Sequence, residues 1–288
     1  MHEIAARMDK YTTTYVHENL EDPSRLNAFA TVFFQDVVAV YDAITRIKNL
    51  DRNPQGFDLD DAPILGLLIR VWKLLKEIAR YYEENNAEVI SVLERPVIEG
   101  SVMASYLMMS SNEVVEDYRK CSYKDRLRIL KMLEEGSPFL ETKAGKRLLR
   151  SVQEKLLKEN LTPNDFALQK RNRWKVQGKS FYDIFSAVEH ADLYACTYGM
   201  MSESIHGSWN ESMDFCLHRH DENIFSCFPF YQEADIRFMS PTLRFTNRPY
   251  KMWLHRIDVR DEYLDSILNF IEKVNEQLFR RFDAQYDA

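Results

Sequence analysis

Apolar side chains recur at every third or fourth position through the first two thirds of this chain, and no other feature restricts its fold as much. Between residues 26 and 50 the series Phe29, Val32, Phe33, Val37, Val40, Tyr41, Ile44 and Ile47 forms one helical face, the pattern of a core helix. Pro23, with Ser24 as N-cap, opens it and Asn53-Pro-Gln-Gly56 closes it. The same reading predicts a helix from Asp60 or Asp61, with Pro63, to about residue 85. Another runs over 87–110 with a kink or restart where Pro96 removes a backbone donor. Further helices follow over 112–120, 123–135 and 143–160, and a shorter one starts at Thr162-Pro163 with the threonine as cap. The pattern returns at Ser180 and runs in one or two pieces to His206, where Gly207 stops it. A final helix covers about 250–282.

Residues 208–249 mix aromatics, histidines and prolines without a sustained period and read as an irregular cover. Only 8 Gly and 9 Pro occur in 288 residues, which leaves little material for the turns of a sandwich or barrel. The fold class expected is all-α. It is a multi-helix bundle of eight to ten helices, a single domain over 1–288, with the long irregular segment before the C-terminal helix.

A formal net charge of −7 and a pI near 5.6 argue against tight, indiscriminate nucleic-acid binding but leave room for a local basic groove. Cys121, Cys196, Cys216 and Cys227 lack a metal-ligand spacing and are too few for a disulfide framework, so reduced thiols are expected. The N-terminus has no signal-peptide segment, and the longest apolar run, 62–69, is too short for a bilayer. The protein is read as cytoplasmic, without a membrane partner. Neither GxxxxGK[ST] nor GxGxxG occurs, and Gly178-Lys-Ser180 lacks the upstream glycine that a phosphate loop needs. No cofactor is expected.

Two segments concentrate polar groups at helical spacing. Arg95-Pro-Val-Ile-Glu99 sets Arg95 and Glu99 four residues apart, and Tyr194, Tyr198, Ser202 and His206 continue that spacing a hundred residues later. Each set falls on one helix face. Polar groups amid apolar neighbours cost free energy unless paired, so the two stripes are candidates to meet inside the bundle. There Arg95 would bind a phosphate or carboxylate, His206 would move a proton and Glu99 would orient either partner, with Tyr198 and Ser202 as binding groups. The competing reading is a buried, satisfied network that fixes helix register.

Arg95-Pro-Val-Ile-Glu99, Trp174 with Gly178-Lys-Ser180, and Tyr194-x3-Tyr198-x3-Ser202-x3-His206-Gly207 together resemble an uncharacterised, all-helical, mainly bacterial family of unknown function. The resemblance spans about residues 60–210 and implies where a site lies without implying its chemistry. More distantly, a histidine near a helix end is similar to the HEPN class of ribonucleases and nucleotide-binding domains. That class places an arginine four to six residues before the histidine. Met200, Met201 and Ser202 stand there instead, so Arg95 would have to fill the role.

Two acid-free basic stretches also bear on partners. Residues 166–182 carry Lys170, Arg171, Arg173, Lys175 and Lys179 around Trp174, and residues 236–257 carry Arg237, Arg244, Arg248, Lys251 and Arg256 among Phe238, Phe245, Tyr250 and Trp253. Cations among aromatics suit single-stranded nucleic acid, so Trp174 and Lys179 join the binding candidates and RNA or a nucleotide is the partner expected. His218-Arg-His220, with Cys216, Asp221 and Glu222 nearby, is too loose a pattern to assign a metal. The alternative function is a non-catalytic helical interaction module that forms a homodimer through an amphipathic helix.

Overall fold

The structure, a computed structural model, describes residues 2–166, 176–221 and 223–285. Its helices, in chain order, begin with α1 (His2–Met8), α2 (Thr13–Glu21), α3 (Pro23–Thr45), α4 (Ala62–Glu83) and α5 (Ala87–Met108). Then come α6 (Asn112–Cys121), α7 (Lys124–Glu134), α8 (Pro138–Glu141), α9 (Lys143–Lys158) and α10 (Phe181–Val188). After a π-turn at Ala195–Gly199 follow α11 (Ser202–His206) and α12 (Trp209–Phe215). An antiparallel hairpin of β1 (Leu217–Asp221) and β2 (Ile224–Cys227) precedes α13 (Ser240–Arg256) and α14 (Glu262–Asp283). The protein is mostly α-helical, as the periodicity predicts.

The chain forms two compact units, Met1–Met109 with Phe185–Ala288, and Ser110–Ile184. The larger has its core where α3, α4, α5, α13 and α14 pack. In α3, Leu26, Phe29, Phe33, Val37, Val40, Tyr41 and Ile44 are buried, whereas Val32, which the spacing assigns to the same face, is 42% exposed. Asp22 rather than Ser24 caps this helix, accepting the Ser24 N–H. By length and composition α3 would suffice to cross a membrane, but 67% of its apolar window is buried inside the protein, the environment of a core helix. Two buried tyrosines of this core are paired. Tyr41 stacks on Tyr250 at 4.1 Å and donates to Asn247, while Tyr250 donates to the Leu68 carbonyl.

α5 runs through Pro96 without a restart. The carbonyl that proline leaves without a helical donor belongs to Val92, which is exposed, so water can satisfy it. Close packing with α4 depends on Gly100, because a Cβ there would lie 2.9 Å from Val71 Cγ2. The N-terminus of α4 is organised differently from a simple acidic cap. Asp61 is fully buried and its carboxylate makes no cap hydrogen bond; instead Arg52 (2.9 Å) and Arg256 (2.7 Å) clasp it.

The segment read as an irregular cover contains α12, the hairpin and the first half of α13. The single helix expected over 250–282 is two, since the chain breaks between Arg256 and Glu262 and Asp261 caps α14. The first difference arises from short elements and from Pro249, which lies inside α13, and the second from the turn after Arg256, where Asp258 adopts φ +54°. The smaller unit has its own core of Val152, Leu156, Leu161 and Phe166, backed by Tyr123, Leu127, Ile129 and Leu130. Before the turn Pro163–Phe166, Thr162 donates its N–H and hydroxyl to Asp165, whose own N–H bonds the Thr162 carbonyl.

Candidate functional site

α5 displays Glu88, Ser91, Arg95 and Glu99 at spacings of three and four, so they share one face. Opposite Arg95 and Glu99 stands Tyr198, carried by the π-turn. The Met200 N–H reaches back five residues to the Ala195 carbonyl, and such a turn shifts the residues after it around the helix axis. Tyr198 is thereby aimed at α5, while Ser202 and His206 lie on a separate short helix.

The contacts form a relay. Arg95 Nη2 donates to the Tyr198 hydroxyl at 2.8 Å, and that hydroxyl donates to Glu99 Oε2 at 3.0 Å. The guanidinium also lies over the Tyr198 ring, 4.4 Å from its centre. Tyr194 packs on Tyr198 at 5.4 Å and edge-on to Phe185 at 5.5 Å, which fixes the ring. Burial, reinforced by the Glu99 charge and opposed by Arg95, pushes the Tyr198 hydroxyl up to about 12. It is a neutral donor at physiological pH.

Ser202 spends its hydroxyl on the Tyr198 carbonyl at 3.0 Å. His206 is exposed in the last turn of α11, before Gly207 at φ +60°, the left-handed cap that glycine favours. No hydrogen bond or ion pair joins His206 to Arg95 or Glu99. Of the two stripes, then, the structure brings together Arg95, Glu99 and Tyr198. Trp174 lies outside the described residues, and Lys179 belongs to the smaller unit, where its N–H bonds the Val176 carbonyl.

Sequence reasoning missed three groups. Glu211, at the start of α12, accepts from Ser91 of α5 (3.3 Å) and Ser204 of α11 (2.9 Å), and burial followed by its charge raises Glu88 above the usual carboxylate range. Its signal was a carboxylate three residues after Ser208, the cap of α12. Glu94 is buried between α5 and α13, and the Thr242 hydroxyl donates to it at 3.3 Å. Burial pushes its carboxyl up to about 8, with Thr242 opposing. Its place among Ile90, Val97 and Ile98 on the apolar face was legible. The third group is a cavity of about 560 Å³ between α13 and α14, walled by Leu243, Arg244, Phe245, Glu272 and Thr197. The π-turn thus offers Thr197 to the cavity and Tyr198 to Arg95.

The basic stretch 236–257 is largely engaged in the fold. Arg237 pairs with Asp235, Arg248 with Glu189 and the Val188 carbonyl, and Arg256 with Asp61. Phe245, Tyr250 and Trp253 are buried, so they offer no stacking surface. His218 and His220 meet ring edge to face at 4.9 Å and His220 bonds Ser226. Among the described residues no three His, Cys, Asp or Glu side chains converge as a metal site.

Residues 61–224, more than half of the chain, match the family of unknown function DUF5677. The chain belongs to that family. The DUF5677 match runs from the start of α4 to the first residue of β2, and so includes the Arg95–Tyr198–Glu99 relay, Ser202, His206 and Glu211. α1 to α3, α13 and α14 lie outside it. No curated protein and no solved structure matches the chain.

Proposed function

We propose that this DUF5677 protein binds the phosphate of a nucleotide or of RNA at the Arg95–Tyr198–Glu99 relay. One observation carries the reading: Arg95 is partly exposed and is held by a neutral phenol, with no carboxylate at ion-pair distance among the described residues. A guanidinium fixed in this way keeps its charge and its remaining N–H donors for an incoming anion. Glu99, bonded to the phenol instead, orients the ring, and Ser202 supports the same turn through its bond to the Tyr198 carbonyl. A cytoplasmic location suits such a ligand.

Cleavage is the finer form of the proposal. His206 would serve as the proton-transfer group of a metal-free, ribonuclease-like reaction in which Arg95 stabilises charge developing on the phosphate. Titration with nucleoside monophosphates and a short single-stranded RNA tests binding. Arg95→Ala should weaken it by at least roughly tenfold, the share expected of a charge-assisted contact, with the fold intact by circular dichroism. Equal affinity in the variant would remove the site. Loss of RNA cleavage in His206→Ala, with binding retained, is the result expected for the catalytic form; cleavage that persists unchanged excludes it.

A second reading, a non-catalytic interaction or dimerisation module, draws on Trp209, Phe230 and Tyr231, each more than 60% exposed. Light scattering checks it: a dimer that Trp209→Ala dissociates would favour this reading over ligand binding.

A further inference from the structure

The net charge of −7 is the sum of two unlike parts. Ser110–Ile184 carries 17 Lys and Arg against 11 Asp and Glu, whereas the larger unit carries 21 against 34. The small unit is therefore cationic within an acidic chain, and six of its 17 cations lie on α9. At about 100° per residue, Lys143, Arg147, Arg150 and Lys158 fall within an arc of about 80°, along a line about 22 Å long. Glu154 is the one carboxylate on that arc. The opposite side of the helix, Gly145, Val152 and Leu156, is buried, so the basic arc faces outward.

These four cations are exposed and make no ion pair or hydrogen bond among the described residues. The contrast with nearby cations is direct: Arg119 is bound by Glu116 and Glu159, Lys120 by Glu116, Lys131 by Glu135 and Lys146 by Glu141. Four cations against the single carboxylate of Glu154 leave a net repulsion along this face, and an anionic partner relieves it.

We infer that the outer face of α9 is a contact surface for the phosphodiester backbone of a double-stranded or structured nucleic acid. Duplexes present about one charge per 1.7 Å of axis, a linear anion array that a linear cation array matches. α9 has no aromatic residue, so the contact reads backbone and not bases. A protein partner would need an apolar centre to the patch, which is absent from the arc. A membrane surface would need an apolar stripe, but the exposed Leu148 and Leu157, nine residues apart, fall on opposite sides of the helix. The inference uses no residue of the Arg95 relay and does not rest on that reading.

Fluorescence anisotropy of the full chain with labelled duplexes of about 20 base pairs, one RNA and one DNA, tests it at about 50 and 200 mM salt. Binding of either duplex is expected, with Kd rising steeply with salt. Arg147→Glu/Arg150→Glu should weaken binding at least tenfold and lower the slope of log Kd against log salt by about two, since each phosphate contact contributes about 0.9. Arg147→Gln/Arg150→Gln, which retains good helix formers, should give a smaller loss in the same direction. Lys273→Glu, an exposed reversal on α14, should leave affinity unchanged. The inference is overturned by no binding to either duplex at the lower salt, by affinity indifferent to both α9 variants, or by capture on anionic phosphatidylserine vesicles without duplex binding. Binding abolished by Arg95→Ala but untouched by the α9 variants would also overturn it, and would assign the duplex to the relay.

Discussion

Tyr198 does two jobs that separate on mutation. Its ring carries the Arg95 guanidinium, and its hydroxyl connects that guanidinium to Glu99. Tyr198→Phe keeps the ring and removes both hydrogen bonds, so urea denaturation should show a loss of about 1–2 kcal/mol. An unchanged midpoint would mean that water replaces the hydroxyl without cost. Glu94 behaves in the opposite sense, because it is a buried acid with only a hydroxyl for company. Its folded pKa of about 8 lies above the ordinary carboxyl value of 4.5, so the unfolded chain releases this proton first as pH rises. The stability it contributes is complete below about pH 4.5, declines above that, and is gone once pH has risen through about 8. Glu94→Gln keeps an acceptor for Thr242 and cannot ionise. Its melting temperature should exceed that of the wild type at pH 8, by the equivalent of roughly 3–5 kcal/mol, and the gap should close towards pH 5. A gap that is the same at both pH values would contradict a neutral buried Glu94.

Among the elements, α5 shows how one helix serves core and site together. Its apolar side packs on α4 through Gly100, and its polar side carries the relay. Gly100→Leu should destabilise by about 1–3 kcal/mol through overpacking against Val71. Gly66→Ala on the neighbouring helix meets nothing within 4 Å and should stabilise by about 0.5–1 kcal/mol through helix propensity. Chemical denaturation of the pair checks that packing, and not glycine content, sets the sign. The π-turn is the element that decides the site's membership. Four-residue spacing puts Tyr198, Ser202 and His206 on one stripe of an ideal helix, but a five-residue hydrogen bond at Ala195–Met200 breaks that stripe after Tyr198. Periodicity cannot announce such a turn, because the residue types that form it are those of an ordinary helix.

At the scale of the molecule, distant segments are joined by buried charge. Asp61 receives Arg52 from the loop before α4 and Arg256 from the end of α13, almost two hundred residues on. Asp61→Asn leaves two guanidinium groups without their counter-charge and should cost about 3–5 kcal/mol in thermal or urea unfolding. A loss below about 1 kcal/mol would show that solvent already screens the clasp. The division of charge between the two units belongs to this scale too. A net value averaged over 288 residues conceals a cationic unit of 75 residues.

The sequence by itself determined the helical class, most helix positions, and the four-residue pairing of Arg95 with Glu99. All of these depend on residues close in the chain, where a period of 3.6 and a cap or proline are enough. It also marked Tyr198 as a member of the candidate site, since a phenol amid apolar neighbours needs a partner. Only the tertiary structure decided that Tyr198 and not His206 meets Arg95, that Glu94 is sealed against Thr242, and that the cations of 236–257 are engaged while those of α9 face outward. Each of these turns on which distant side chain occupies the space opposite. That is fixed by the packing of helices far apart in sequence, and local periodicity carries no record of it.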